Sequence, residues 1–184
     1  MYDALDADPE PTVVNDGAAI DLALLMFRCA IGAVMIAHGC NHIWGGGRIE
    51  GTARWFGSMG MRPPAVQAWM ASVTEIVGGL LLVVGFLTPL GGASVIGTML
   101  VAWAINHRGN GFFIFRPGEG WEYVMTLGFC GMLLGTAGPG TWSVDDVVGI
   151  RDDVSGWPGF AITVGGGLGG AAVVLATCWR PRTT

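Results

Sequence analysis

The fold class predicted for this chain is an all-α polytopic membrane helix bundle, and three observations carry the prediction. Charged residues make up 12% of the 184 residues while 52% are hydrophobic. A soluble domain carries roughly a quarter charged residues, so too little polar material is present to cover a water-facing surface. Five apolar stretches approach the roughly 20 helical residues that cross a bilayer's hydrocarbon core. Prolines punctuate their boundaries, where a missing N–H costs least, at Pro63-Pro64, Pro89, Pro117, Pro139 and Pro158. The formal charge of −5 excludes a nucleic-acid partner, which calls for a basic stripe. Nine arginines without a lysine, beside 32 glycines, are the composition of a high-GC bacterial genome.

Taken in order, residues 1–17 hold five acidic side chains, two prolines and no basic residue, the composition of a disordered tail. No arginine precedes the first apolar run and no small-residue cleavage site follows it. That run is expected to stay as a membrane span and not to act as a signal peptide. The spans are expected at 19–43, 66–88, 90–107, 120–138 and 158–179. A tight turn at Thr88-Pro89-Leu90 makes the second and third an antiparallel hairpin. The connection 44–65 mixes Trp55, Phe56, Met59 and Met61 with Arg48, Arg54 and Arg62, the pattern of a short amphipathic helix in the interface. The chain therefore divides into an acidic tail (1–17), a four-helix membrane domain (18–147), and an extra loop, fifth span and short tail (148–184).

Arginine asymmetry sets the expected orientation. Five spans put Arg48, Arg54, Arg62, Arg108, Arg116, Arg180 and Arg182 on one side. Only Arg151 falls on the other, among Asp145, Asp146, Asp152 and Asp153. The N-terminus is expected outside and the C-terminus in the cytoplasm. Trp44, Trp69, Trp103, Trp121 and Trp179 near the inner ends, with Trp142 and Trp157 near the outer ends, read as an aromatic belt. Cys29, Cys40, Cys130 and Cys178 all lie in apolar stretches without a CxxC and read as packing residues.

Gly165 to Gly170 spells GxGxxG. A dinucleotide fingerprint needs a strand before it and a helix after it, whereas this one lies inside a spanning run. Its glycines instead give small-xxx-small spacings, Gly165 with Gly169 and Gly166 with Gly170, and Gly131 with Gly135 repeats the pattern in the fourth span. Such pairs let helix backbones approach closely. Two ionisable residues lie deep in the membrane, Arg28 and Glu75, and charges at that depth normally pair inside the bundle. A structural Arg28–Glu75 ion pair is the first expectation, with a proton relay or quinone anchor as the alternative. At the inner ends His38 and His42 share a helix face at i, i+4, Asn106 and His107 close the third span, and Glu119 and Glu122 open the fourth. The readings of His38, His42, His107 and Glu122 are polar packing, a quinone or proton-exchanging site, or a metal site of a spacing that matches no familiar one. No metal is expected.

These residues resemble the DoxX-type membrane proteins. RCAIGAVMIAHGCNHIWGG from Arg28, with His38-Gly39, is similar to that family's opening. TEIVGGLLLVVGFLTPLGG, with Glu75 and Gly78-Gly79, is similar to its second span. NHRGNGFFIF, Glu122 and GPGTWSVDD resemble its closing part, so the likeness runs over about residues 20–147. Two features depart from the family: His42 stands where a lysine is common, and a fifth, glycine-rich span follows the four-helix core. The resemblance implies a small helical protein of the bacterial plasma membrane, tied to quinone-linked oxidation, terminal oxidases or oxidative-stress complexes.

No haem-ligand pattern, flavin fingerprint or redox cysteine pair is found, so electrons have no obvious carrier. The expected function is an accessory subunit of a multi-subunit respiratory, quinol-oxidising, cytochrome-containing complex. Its partners would be other membrane subunits and lipids. No covalent cofactor is expected, only a bound quinone or lipid. The alternative is a quinone-reactive oxidoreductase subunit using the inner His/Glu cluster, and a small-molecule transporter comes third.

Overall fold

A computed structural model describes residues 17–181. It is helical, with seven α-helices among the described residues: α1 (Gly17–Trp44), α2 (Arg48–Ser58), α3 (Pro64–Val84), α4 (Thr88–Ala102), α5 (Glu122–Ala137), α6 (Val144–Val147) and α7 (Gly156–Cys178). α4 continues without a break into a π-helical turn, Trp103–His107. There the Arg108 N–H bonds back to the Trp103 carbonyl at 2.8 Å.

α1, α3, α4 with its π turn, and α7 have 28, 21, 20 and 23 residues and are apolar enough to cross a membrane. α5, at the place of the expected fourth span, has 16 residues. The turn between the second and third spans lies earlier than expected. Gly85 ends α3 with φ of 65°, a left-handed conformation that favours glycine, and Thr88-Pro89 already form the first turn of α4. The amphipathic segment is α2. Its Phe56 is buried with Met61 and Ala68, while Arg48, Arg54 and Trp55 stay exposed.

Backbone contact between helices organises the bundle. A Cβ on Gly32 of α1 would lie 2.6 Å from the Gly79 carbonyl oxygen of α3, and one on Gly79 equally close to the Gly32 oxygen. No side chain fits between the two helices at this crossing. α4 meets α5 in the same way, through Gly92 and Gly131. α7 packs on α4 and α5 through Gly159, Thr163, Gly167 and Ala171, which are buried at every fourth position, and the Thr163 hydroxyl donates to the Pro89 carbonyl at 3.0 Å. Of the expected packing glycines, Gly131, Gly135 and Gly166 make such contacts. Gly165, Gly169 and Gly170 do not, for a Cβ there would meet nothing within 4 Å. In a run this rich in glycine every face carries a small residue, and the face bearing Thr163 is the one used. Ile31, Met35, Leu82, Val95, Leu127 and Leu134 form the apolar centre, and all four cysteines are free.

The five long helices alternate in direction, so Gly17 and Cys178 stand at opposite ends of the bundle. At one end the Thr141 N–H donates to Asp21 at 2.9 Å, beside the start of α1. At the other, the Arg62 N–H donates to the Cys178 carbonyl at 2.7 Å and the Arg180 N–H to the Gly60 carbonyl at 2.9 Å, pinning the end of α7 to the α2–α3 connection. That second end gathers Arg48, Arg54, Arg62, Arg108, Arg116 and Arg180, and the first holds Arg151. Trp44, Trp69 and Trp103 are exposed toward the arginine-rich end, Trp142 and Trp157 toward the other. The acidic tail and Arg182 lie outside the described residues, apart from Gly17.

Candidate functional site

Arg28 and Glu75 are both buried, at 1% and 4% exposure, but they do not form the expected ion pair. The Arg28 guanidinium donates to the carbonyl oxygens of Leu82, at 3.1 Å, and of Val83 and Trp142. It caps the C-terminal end of α3, where carbonyls lack helical partners and the helix dipole is negative. The reason is axial offset. Gly32 lies against Gly79 and Val83, and Gly39 against Ser72, Glu75 and Ile76. Glu75 is therefore level with Gly39, 11 residues or about 16 Å along α1 from Arg28. Helix ends taken as level hid this offset, because α1 projects past the end of α3.

Glu75 faces His42 instead. Its Oε2 lies 3.3 Å from the His42 Nδ1. The two atoms are close enough to attract but are not aligned as a hydrogen bond, and neither has another partner among the described residues. A buried polar atom without a partner costs roughly 1–3 kcal/mol, so this arrangement is retained against its own cost. The local chain explains the position. Glu75 lies one turn from Gly78-Gly79, whose lack of side chains draws α1 in close. His42 lies one turn beyond Gly39, on the matching face of α1.

Both residues open into a cavity of about 640 Å³ between α1, α3, α4 and α7. Met61, Met70, Val101, Ile105 and Val174 give it apolar walls, with the hydroxyls of Thr74, Ser94 and Thr98 among them, and His38, His42, Glu75, Asn106, His107 and Glu119 gather toward the arginine-rich end. Gly166, Gly170 and Ala171 form the α7 wall, where small side chains leave room. The π turn brings Asn106 and His107 to the lining. The His107 Nδ1 is 2.8 Å from the Glu119 carbonyl oxygen. A carbonyl only accepts, so Nδ1 carries the proton, and Nε2 is left to accept from the Asn106 amide at 3.3 Å. His107 is thus a wall residue with both ring nitrogens engaged. The His38 ring lies 6.3 Å from that of Tyr123, which also lines the cavity.

Of the expected cluster, His38, His42 and His107 converge and Glu122 does not. Glu122 is not among the lining residues; its Oε2 accepts from the Ile114 N–H at 3.3 Å, because the loop 108–121 folds back and α5 starts with Glu122 turned toward it. Glu119 lines the cavity in its place. Glu75 is the residue that reading the chain assigned to the wrong partner. The available signal was the GG pair after it, which marks where α1 comes close. Among the described residues no three His, Cys, Asp or Glu side chains come together as a metal site.

The apolar helices, the Trp-marked ends and an internal cavity with one polar end define a multi-pass helical membrane protein. Residues 23–108, from α1 to the end of the π turn, match the model of the DoxX family, so that segment is similar to DoxX-type membrane proteins. The match is narrower than the likeness over residues 20–147 and contains Arg28, His38, His42, Glu75 and His107. The chain is also 30% identical over 74 residues to the Bacillus subtilis (strain 168) protein named "Putative oxidoreductase CatD". That alignment takes in 40% of this chain and 52% of the relative, so the chain spans about half the length of the curated relative it matches. No solved structure matches the chain.

Proposed function

We propose that this protein is a quinone-binding membrane subunit of a bacterial respiratory oxidoreductase assembly, lying in the plasma membrane with its arginine-rich end in the cytoplasm. The cavity carries this reading. Its walls are mostly apolar and its ionisable groups gather toward one end, as a headgroup with an isoprenoid tail requires. Its buried Glu75 and His42 atoms lack partners, and the two carbonyl oxygens of a quinone ring are acceptors for a protonated Glu75 and for His42. When bound, a quinone supplies two-electron redox chemistry. The chain's own residues orient the ring, exclude water and exchange protons with it. The relative's name, an oxidoreductase, agrees with this class of role.

Binding of a short-tailed quinone to the purified protein in lipid nanodiscs tests the reading. Saturable one-to-one binding is expected, weakened at least about tenfold by Glu75→Leu, which is about 1.4 kcal/mol. Absence of binding to the wild-type protein overturns it. Orientation is checked by labelling single cysteines at Gly109 and Asp153, with the four native cysteines replaced. The first is expected to react from the cytoplasmic side and the second from outside.

One observation favours the accessory-subunit reading within this assembly. A Cβ on Gly165 or Gly169 of α7 would meet nothing within 4 Å among the described residues, and a small-residue face of this kind is what another membrane helix packs against. Gentle detergent extraction and affinity capture are expected to bring cytochrome-containing subunits with the protein. Gly165→Leu with Gly169→Leu is expected to release them.

A further inference from the structure

A second, polar hollow of about 360 Å³ lies at the arginine-rich end, formed by Asn41, the Gly45-Gly46-Gly47 turn, Arg48, Gly51 and Thr52. His38, His42 and Trp55 belong to its lining and to that of the membrane cavity as well. The two histidines therefore lie on the boundary that the cavity and the hollow share. The glycine turn and Arg48 lie at the surface, so the hollow is open to water. Glu75, 4% exposed, meets the hollow across His42, 3.3 Å away. In the other direction Ile31, Met35 and Leu82 form the buried apolar centre, and the hydroxyl of Ser94, which lines the cavity on that side, is engaged with the Gly91 carbonyl at 2.7 Å.

We propose that Glu75 and His42 form a one-sided proton relay between the membrane cavity and the water at the arginine-rich end. In the outward step the O–H bond of protonated Glu75 breaks as an N–H bond forms at the His42 Nδ1. The imidazolium so made discharges by losing the proton on its other ring nitrogen to water in the hollow. The inward step is the reverse, and no electron moves in either. The distance of 3.3 Å suits a transfer that needs only a small approach. The missing alignment leaves the His42 ring unfixed by any bond to Glu75, as a shuttle that must release its proton requires. The other groups facing the pair are His38 from α1, His107 from the π turn, Glu119 from the loop before α5, and Tyr123 from the first turn of α5. His107 has both nitrogens bonded, and α7 contributes Gly166, Gly170, Ala171 and Val174, none of them ionisable. Arg48 faces the hollow.

The relay serves the redox reading above but needs no quinone, so the two can fail separately. An apolar carbodiimide, which modifies protonated carboxyl groups in apolar surroundings, is applied to the full-length protein in proteoliposomes of known orientation without quinone. Modified Glu75 is quantified by mass spectrometry. The labelling rate is expected to follow the pH set on the arginine-rich face and to ignore the pH on the other. In His42→Gln the response to a pH jump on that face is expected to slow on the order of 100-fold, the scale of one positioned proton acceptor. A Ser58→Ala control, outside the lining of both spaces, is expected to change it far less. Labelling that follows the opposite face, or neither face, overturns the relay, as does a His42→Gln response as fast as wild type. If His42→Gln does not accumulate, the sidedness in the wild-type protein decides alone.

Discussion

At the end of the bundle where α3 turns into α4, three polar residues are almost wholly buried and matched. Arg28 feeds three carbonyl oxygens and leaves only its Nε unbonded. Asp145, fully buried, accepts from the Leu87 N–H at 2.7 Å and from the Thr88 N–H and hydroxyl at 3.2 and 3.1 Å. Toward the arginine-rich end Glu75 and His42 face each other across 3.3 Å without a directed bond, beside an open cavity. The first end converts buried polarity into a fixed turn, since each charge closes a helix terminus. The second holds polar groups that stabilise little where they are. Buried charge at one end serves the fold, and at the other it serves what enters the cavity.

The largest test of this contrast is Arg28→Met. With the guanidinium gone, the carbonyls of Leu82, Val83 and Trp142 lose their donor inside the membrane, and a loss of about 1–3 kcal/mol for each one left unsatisfied is expected. Unfolding in a denaturing detergent titration measures it. Asp145→Ala removes the cap of α4, with an expected cost of about 2 kcal/mol by the same measurement. The two residues grip opposite sides of one turn, so their double variant is expected to cost less than the sum.

Smaller effects are expected at the other end. Glu75→Gln keeps the shape and removes an unmatched carboxyl, and stability is expected to stay within about 0.5 kcal/mol of wild type or to rise. A loss as large as that of Arg28→Met would erase the contrast. The smallest expected effect is a coupling of nearly zero. Arg28→Met with Glu75→Leu is expected to be additive within about 0.5 kcal/mol, as for separated sites. Recovery of stability in that double variant would show the two charges paired after all.

Much of the architecture was legible in the sequence because span length, proline punctuation and arginine asymmetry are local properties. The helical nature of 44–65 and the convergence of His38, His42 and His107 came from the same source. Properties that depend on how one helix slides past another were not legible. Nothing in the residues of α1 states that it overshoots α3, yet that overshoot parts Arg28 from Glu75. Glu119 and Glu122 lie three residues apart, and which one reaches the cavity depends on the fold of the loop between α4 and α5. In α7 the presence of a small-residue face was readable, but its choice was fixed by Thr163 reaching the Pro89 carbonyl.

The π turn at Trp103–His107 has a bearing on how this chain can change length. It accommodates one residue more than an α-helix would place in that span. Its removal would turn everything beyond it by about 100° around the helix axis, the arc of one residue. His107 would leave the cavity wall while α4 up to Ala102 kept its packing. The adjoining loop, exposed from Arg108 to Glu119 except at the half-buried Asn110, can take up the slack. A single-codon insertion or deletion at this place is therefore a route by which relatives can redecorate the cavity mouth without repacking the helices that build it.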